Sequence, residues 1–246
     1  MLYELSPGET PRLVLAASGG GSTARHIIDQ CQSPVGDLHG KVTPVLMVVD
    51  RECGAIQHAE AANIPWVLCS GKGKNPNYWA NELLAHCERV QANIWGQYGW
   101  TPVTPERFIR LFDGICVNQH PVTLDPGRLD FGGQGMHGRR AFAAAFIYAK
   151  LTGQLWSEAT AHFAEPLVDK GAIICVEKVE IFPKDDLLAF CARALPVEHR
   201  VQTKALKMLV EGTVVPFVRE MPFIIPGTED LWQQAKDTAA LLFPNG

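Results

Sequence analysis

The sequence predicts an α/β fold with a mainly parallel twisted sheet and helices on both faces. Short apolar runs, typical of buried parallel strands, alternate with segments of helical periodicity. A glycine-rich turn follows the first apolar run, and the alternation continues as far as Val117. Strands that alternate with helices require right-handed crossover connections, and such connections place the strands parallel in one sheet.

Composition excludes several classes of protein. The chain has 246 residues, of which 47% are hydrophobic and 20% charged, as expected for a globular protein. The net charge of −4 gives no support for a nucleic-acid partner. No apolar run reaches the ~18 residues of a membrane span, and the first residues show no signal pattern, which predicts a cytoplasmic protein. The seven cysteines form no C-x-x-C pair, which indicates reduced thiols and predicts no metal site.

The predicted elements of the first half follow from this alternation. The apolar runs predict strands at Leu13–Ala17, Val42–Asp50, Ile64–Cys69, Ala92–Trp95 and Ile115–Val117. Apolar residues three and four apart predict helices at Ala24–Cys31, Cys53–Asn63, Tyr78–Val90 and a segment that starts near Thr104. In that last helix Thr104 is the predicted N-cap, and Pro105 is the predicted first residue.

The pattern changes after Pro121. The glycine content of Val122–Gly138 predicts a long loop, and long ordered loops are often functional. After this loop the sequence predicts a helix at Arg139–Leu151 and strands at Trp156–Ala164 and Ile173–Phe182. The alternation of the second strand predicts that it is half-exposed and antiparallel. A helical stretch at Asp185–Gly212, with a break at Pro196, and a helix near Leu231–Leu242 follow. The predicted organisation is a leader of residues 1–11, one domain of residues 12–212 and a C-terminal extension of residues 213–246 packed on it.

The glycine-rich turn predicts an anion site. Ser18-Gly19-Gly20-Gly21-Ser22-Thr23 lies between a strand and a helix, where glycines allow close approach and free amides face a phosphate. It is not a Walker loop, because no lysine follows the glycines. A full dinucleotide fingerprint would require glycine at the position of Ala24. A nucleotide site and a plain tight turn remain the alternatives.

A second candidate site follows the strand at Ile115–Val117. Asn118 and His120 are two residues apart and so face the same side of an extended chain. Open α/β folds bind ligands at the carboxyl edge of the sheet, where this strand ends. An amide donor beside an imidazole suits polar catalysis. The alternative is a strand that ends in ordinary polar turn residues.

The order of these motifs resembles the formyltransferase family that uses formyl-tetrahydrofolate, over roughly residues 12–212. The matching segments are Ser18–Thr23, Gly99 through Thr104–Phe108, Asn118-Gln119-His120-Pro121, Gly135-Met136-His137, Asp169-Lys170-Gly171 and Glu198-His199. Each segment alone is weak, but six in the same order identify the family.

The resemblance implies a Rossmann-like formyltransferase fold and an activity. That activity is transfer of the formyl group of 10-formyltetrahydrofolate, the co-substrate, to the amine of glycinamide ribonucleotide in de novo purine synthesis. Asn118 and His120 would donate to the oxygen on which negative charge develops. Asp169 would hold a proton-shuttling water and orient His120. No metal is implied, and the implied partners are small molecules.

The resemblance also implies binding residues. The substrate-binding set is Gly19, Gly20, Gly21, Ser22 and Thr23 at the phosphate, with Glu198 near the sugar. The folate-binding set is Trp100, Thr101, Pro102, Val103 and Val168. For Trp100, stacking on the pterin and filling the core remain alternatives.

Departures from the family pattern leave the acceptor open. Leu195 stands where some members have a lysine ahead of the Glu-His pair, and the loop after Pro121 is longer than usual. An amino-sugar nucleotide is an alternative acceptor, and hydrolysis of formyl-tetrahydrofolate is an alternative reaction. A binding or regulatory module without catalysis is the alternative from another class. Monomer and homodimer both remain open.

Overall fold

The computed structural model describes residues 10–246, which group into two compact units. The first unit contains the described residues up to Asn118, together with Phe163–Pro166 and Gln202–Val214. The second contains Gln119–His162, Leu167–Val201 and Val215–Gly246. Most of the predicted leader, residues 1–9, lies outside the described residues.

The described residues form seven strands and seven helices. The strands are β1 (Arg12–Ala17), β2 (Thr43–Val49), β3 (Trp66–Leu68), β4 (Ile94–Gln97), β5 (Ile115–His120), β6 (Trp156–Phe163) and β7 (Ile173–Glu180). The helices are α1 (Ser22–Gln32), α2 (Ala55–Ala61), α3 (Pro76–Arg89), α4 (Glu106–Leu111), α5 (Gly138–Thr152), α6 (Leu187–Val210) and α7 (Glu229–Leu242).

The strands form one sheet in the order β3-β2-β1-β4-β5-β6-β7. β1 pairs in parallel with β2 and β4, β2 with β3, and β4 with β5. β6 and β7 pair antiparallel, as the alternation of β7 predicts. The predicted α/β fold with a mainly parallel sheet is confirmed.

The first unit has the apolar centre that a parallel sheet requires. Leu13–Ala17 are completely buried because both faces of this central strand are covered. One cluster of buried side chains joins β1, β2 and β4 to α3 and α4, with Trp79, Trp95 and Phe108 among its largest members.

The second unit has its own apolar cluster, in which the predicted extension takes part. α5 is rich in alanine and packs along α7, which contributes Ala235 and Ala239. Small side chains on both helices allow their backbones to approach closely. Phe131 and Phe223 also lie in this cluster, in an edge-to-face contact. α7 is therefore an integral part of the second unit.

Three local predictions are wrong. β5 does not end at Val117 but continues through His120, because its pairing with β4 extends to Asn118 opposite Gln97. Thr104 does not cap α4: the helix begins at Glu106, and the Thr104 hydroxyl accepts hydrogen bonds from Gln97 and Trp100. α6 is assigned as one helix through Pro196, with buried residues on either side of the proline that include Ala194 and Val197.

Candidate active site

The glycine turn of the first unit leaves its backbone uncovered. Gly19 and Gly20 are exposed, and a Cβ atom built on either would meet no heavy atom within 4 Å. Gly21 differs, because it has φ of 70° and a Cβ there would lie 2.7 Å from Cβ of Ala55. Gly21 thus allows the close approach to α2, whereas Gly19 and Gly20 have open space where a side chain would lie.

The start of α1 completes this turn. Ser22 is exposed as the first helical residue, and the next residue, Thr23, is buried. Free amides at a helix start attract anions. The geometry therefore suits the predicted phosphate site.

Strand pairing brings Asn118 to the same edge of the sheet. Asn118 lies opposite Gln97, and Gln97 lies opposite Ala16, one residue before β1 ends and two before the turn begins. Because these strands are parallel, the glycine turn and Asn118 share the carboxyl edge within the first unit.

The second unit holds a buried cluster of titratable groups. His120 is 3% exposed, and its Nδ1 lies 3.6 Å from Oδ2 of Asp169. The other carboxylate oxygen of Asp169 lies 3.5 Å from Nε2 of His162. Asp169 therefore stands between two imidazoles, and the sequence-predicted pair of His120 and Asp169 is in contact.

Backbone groups of the loop after β5 contact the same pair. Nε2 of His120 lies 3.0 Å from the carbonyl oxygen of Phe131, to which it can donate. The Gly133 amide donates to Oδ2 of Asp169 at 3.0 Å. Each ring nitrogen of His120 thus faces an acceptor of the protein.

The surroundings lower the pKa values of both His120 and Asp169. Burial lowers the pKa of His120, and the attraction of Asp169 opposes that effect. For Asp169 burial acts to raise the pKa, but His120, His162 and the Gly133 amide outweigh it and hold the pKa below its usual range. Asp169 is therefore an anion at neutral pH, a form that can accept a proton or hold a water molecule.

The backbone at Asp169 is locally strained. Asp169 has φ of 56°, in the left-handed region that residues other than glycine rarely occupy. Across from it, a Cβ on Gly132 would lie 2.8 Å from Cβ of Asp169. Close packing of the loop thus helps to hold the carboxylate in place.

His162 was missed by sequence reasoning. It lies near the end of β6, one residue before Phe163, in a strand that is almost entirely buried, where a lone histidine is usually structural. Its only sequence signal is its position seven residues before Asp169. The turn that returns the chain from β6 to Asp169 is what brings the two together.

Glu198 is also buried, as a partner of Gln119. The Gln119 amide donates to Glu198, and burial raises the pKa of Glu198 to about 7. Oε1 of Gln119 is buried and has no hydrogen-bond partner among the residues described. Gln119, which sequence reasoning did not single out, therefore offers an unused acceptor beside a carboxyl group that titrates near neutrality.

The predicted folate residues differ in exposure. Trp100 is buried between Trp79 and Trp95, with ring centroids 6.1 Å and 5.9 Å apart, and its indole donates to Thr104. These contacts favour the core interpretation of Trp100. The other predicted members are partly or well exposed: Thr101, Pro102, Val103 and Val168.

Residues 10–246 contain neither a metal-ligating cluster nor a membrane-spanning helix. No group of three or more His, Cys, Asp or Glu side chains in this range could hold a metal ion. Within the same range, every helix is too short or too polar to span a membrane.

Comparison with known proteins places the chain in a family. The sequence model of the Formyl transferase family matches residues 11–206. The chain belongs to this family of formyltransferases.

Individual relatives are more distant. The chain is 28% identical over 205 residues to the phosphoribosylglycinamide formyltransferase of Mycobacterium tuberculosis, covering 82% of this chain and 86% of the relative. It is also 28% identical over 207 residues to the trifunctional purine biosynthetic protein adenosine-3 of Drosophila melanogaster, covering 83% of this chain but only 14% of that longer protein.

A solved structure supports the same fold. The glycinamide ribonucleotide transformylase 1 of Symbiobacterium toebii superposes with a TM-score of 0.71 at 21% identity, covering 86% of this chain and 96% of the other. At this identity the likeness shows the fold alone, and the fold agrees with the sheet described above.

Proposed function

We propose that this protein transfers the formyl group of 10-formyltetrahydrofolate to the amine of glycinamide ribonucleotide. The observation that carries the proposal is the buried contact of His120 with the ionised carboxylate of Asp169. His120 lies on β5, the strand that also contains Asn118. The relative from Mycobacterium tuberculosis, by its name, formylates this acceptor. Transfer to an amine needs both an oxyanion donor and a proton acceptor, and these residue types supply them.

In the proposed reaction the protein forms no covalent bond with the substrates and contributes polar contacts. The neutral amine nitrogen bonds to the formyl carbon, and the bond from that carbon to the folate nitrogen breaks. One proton leaves the attacking nitrogen and one reaches the folate nitrogen. Asp169 relays this proton through a water molecule, and Asn118 donates to the formyl oxygen as negative charge develops on it.

His120 acts beside this oxygen. Its Nε2 faces the Phe131 carbonyl in the structure, so direct donation to the formyl oxygen exchanges that hydrogen bond for one to the oxyanion. Asp169 stabilises the imidazolium that such donation favours. The Phe131 carbonyl keeps the ring oriented before the substrate arrives.

Substrate recognition is proposed to use separate groups. The amides of Gly19–Thr23 bind the phosphate of the acceptor, because the open space at Gly19 and Gly20 admits an anion. Glu198 accepts hydrogen bonds from the ribose hydroxyls. Thr101, Pro102, Val103 and Val168 contact the folate, and Trp100 supports them from the core.

A panel of acceptors tests this proposal. The purified protein is incubated with 10-formyltetrahydrofolate and, in turn, glycinamide ribonucleotide, an amino-sugar nucleotide or buffer alone. The expected product is formylglycinamide ribonucleotide, with little formate released in buffer. Formylation of the amino-sugar nucleotide alone would overturn the acceptor, and rapid release of formate without an acceptor would indicate a hydrolase.

Partners and location remain part of the proposal. We expect small-molecule substrates and a cytoplasmic location, and the homodimer stays a prediction. Sedimentation of the purified chain measures the oligomeric state directly.

A further inference from the structure

α7 lies beyond the residues matched by the formyltransferase family and contacts the loop that holds the catalytic pair. The indole Nε1 of Trp232 donates to the carbonyl oxygen of Asp130 at 2.8 Å. One helical turn later, Nζ of Lys236 lies 3.5 Å from the carbonyl oxygen of Gly132. Both contacts fall on the segment Asp130–Gly133, called here the clamp segment.

The clamp segment divides its polar groups between two sides. The carbonyls of Asp130 and Gly132 face α7. The carbonyl of Phe131 faces His120, and the amide of Gly133 donates to Asp169. A shift of the segment toward or away from α7 therefore moves the two backbone groups that orient the catalytic pair.

The rest of the clamp segment is fixed by its own carboxylate. Asp130 is buried and accepts hydrogen bonds from the amides of Asp125 and Gly132 at 3.1 Å and 3.0 Å. Nζ of Lys170 lies 3.3 Å from the same carboxylate. These bonds hold the clamp segment together, so we expect a displacement of its α7 side to reach the groups that contact His120 and Asp169.

We propose that Trp232 and Lys236 are positioning residues for formyl transfer, which hold the clamp segment so that Phe131 and Gly133 orient His120 and Asp169. This proposal rests on the proposed function where formyl transfer is measured. Hydrogen exchange at Gly133 and the titration of His120 test it independently of that function.

The residues that follow α7 are also bonded to the loop that contains the clamp segment. The guanidinium of Arg140 donates to the carbonyl of Phe243 at 2.9 Å and to the carbonyl of Gly135 at 2.9 Å. It also contacts the carbonyl of Pro244. The end of α7 is therefore tied to the same loop, two residues beyond the clamp segment.

The pKa of His120 gives the proposal a second readout, because it depends on the groups around the imidazole. His120 faces Asp169, His162 and, through the clamp segment, Asp130. Lys170 and Lys236 in turn face Asp130. Because burial is the main influence on the pKa of His120, loosening the clamp segment admits water and raises this pKa toward its ordinary value.

A merely structural role for α7 makes a different prediction. The helix already packs through Ala235 and Ala239, and Tyr148 fastens its start by a hydrogen bond to Thr228. If α7 only covers apolar surface, removing the indole N–H affects global stability and nothing else. Tyr148→Phe is therefore the matched control. It removes the hydroxyl that bonds Thr228 and the Ile225 amide, and it keeps the aromatic ring that packs edge-to-face on Phe131 of the clamp segment.

The experiment compares the full-length wild type with Trp232→Phe, Lys236→Met, Lys236→Arg and Tyr148→Phe. Hydrogen exchange of the Gly133 amide and an NMR titration of His120 are measured without substrate. The kcat and KM for formyl transfer are measured in parallel, and melting temperatures report global stability.

The proposal predicts that Trp232→Phe speeds exchange at Gly133 by about tenfold, the effect of losing one hydrogen bond. It also predicts a raised pKa of His120 and a fall of kcat by about tenfold at unchanged KM. Lys236→Met should behave in the same way, with rescue by Lys236→Arg, whereas Tyr148→Phe should leave all three readouts at wild-type values.

Two results would overturn the proposal. One is wild-type exchange at Gly133 and a wild-type pKa of His120 in both Trp232→Phe and Lys236→Met. The other is an equal change in Tyr148→Phe. If the wild type transfers no formyl group, the exchange and titration results still decide the proposal, and only the proposed function fails.

Discussion

The glycine turn of the first unit and the clamp segment of the second differ in packing. A Cβ on Gly19 or Gly20 would meet no atom within 4 Å, whereas a Cβ on Gly132 would meet Leu124 at 2.6 Å and Asp169 at 2.8 Å. The turn keeps its backbone open for a ligand, and the clamp segment uses close packing to hold side chains. Changes in the turn should therefore affect binding, and changes around the clamp segment should affect turnover.

The largest effect is expected at the packed pair. Asp169→Asn removes the proton acceptor and should lower single-turnover formyl transfer by about 10²–10⁴, the usual contribution of positioned acid–base catalysis. Asn118→Ala removes an oxyanion donor and should cost about 10²–10³. Folate binding, measured separately, should stay near the wild-type value in both.

Asp185→Asn is the matched control for Asp169→Asn. Asp185 is also an ion-paired carboxylate: Arg193 lies 2.6 Å from it, and the amide of Phe182 donates to it. Equal loss of turnover in the two asparagine variants would contradict a specific role for Asp169.

The next largest effect concerns buried Glu198 and the pH dependence of the free energy of unfolding. Burial raises the pKa of Glu198 from an ordinary value of 4.5 to about 7. A raised pKa in the folded state contributes stability that is fully present below pH 4.5 and is lost as the pH rises through about 7. The full difference corresponds to on the order of 3 kcal/mol.

Glu198→Gln tests this sign. The variant keeps a polar partner for Gln119 but cannot ionise, so its free energy of unfolding should exceed that of the wild type at pH 9 and approach it at pH 5. Denaturant unfolding at both pH values measures the difference. A wild type that becomes more stable between pH 5 and pH 9, relative to the variant, would contradict a buried Glu198 with a raised pKa.

The smallest effect is expected at the glycine turn of the first unit. Gly20→Val keeps the backbone amide but puts a side chain into the open space of the turn, so it should weaken acceptor binding by about tenfold, comparable to the loss of one hydrogen bond. Folate binding and melting temperature should stay nearly unchanged. Gly21→Val is a poor probe, since its positive φ and the 2.7 Å approach to Ala55 make any side chain destabilising there. Equal loss of acceptor and folate binding in Gly20→Val would contradict the separate recognition of the phosphate.

Sequence reasoning predicted most of the regular structure and the main catalytic candidates. Strands β1 to β4 are recognisable because each has an apolar run and is followed by helical periodicity, and β5 is recognisable from the apolar run Ile115–Val117. Asn118, His120 and Asp169 were selected as candidates because they stand in motifs of a known order. The contact between His120 and Asp169 spans 49 positions, and the family resemblance supplied it where local pattern could not.

The supporting contacts could not be predicted, because they join distant segments through the backbone. The hydrogen bond from Trp232 to Asp130 spans 102 positions and ends on a carbonyl, which leaves no mark on residue identity. The same holds for the Phe131 carbonyl at His120. For Trp100, the neighbours Trp79 and Trp95 decide between core and ligand stacking, and only packing reveals them.

The central claim is that His120 and Asp169 act as one catalytic unit, and a double-mutant cycle tests it most directly. Single-turnover transfer to glycinamide ribonucleotide is measured for the wild type, His120→Ala, Asp169→Asn and the double variant. Because neither residue works without the other, the account predicts that the double variant is hardly slower than the slower single variant. Losses that multiply in the double variant, or a single variant with wild-type turnover, would contradict the claim.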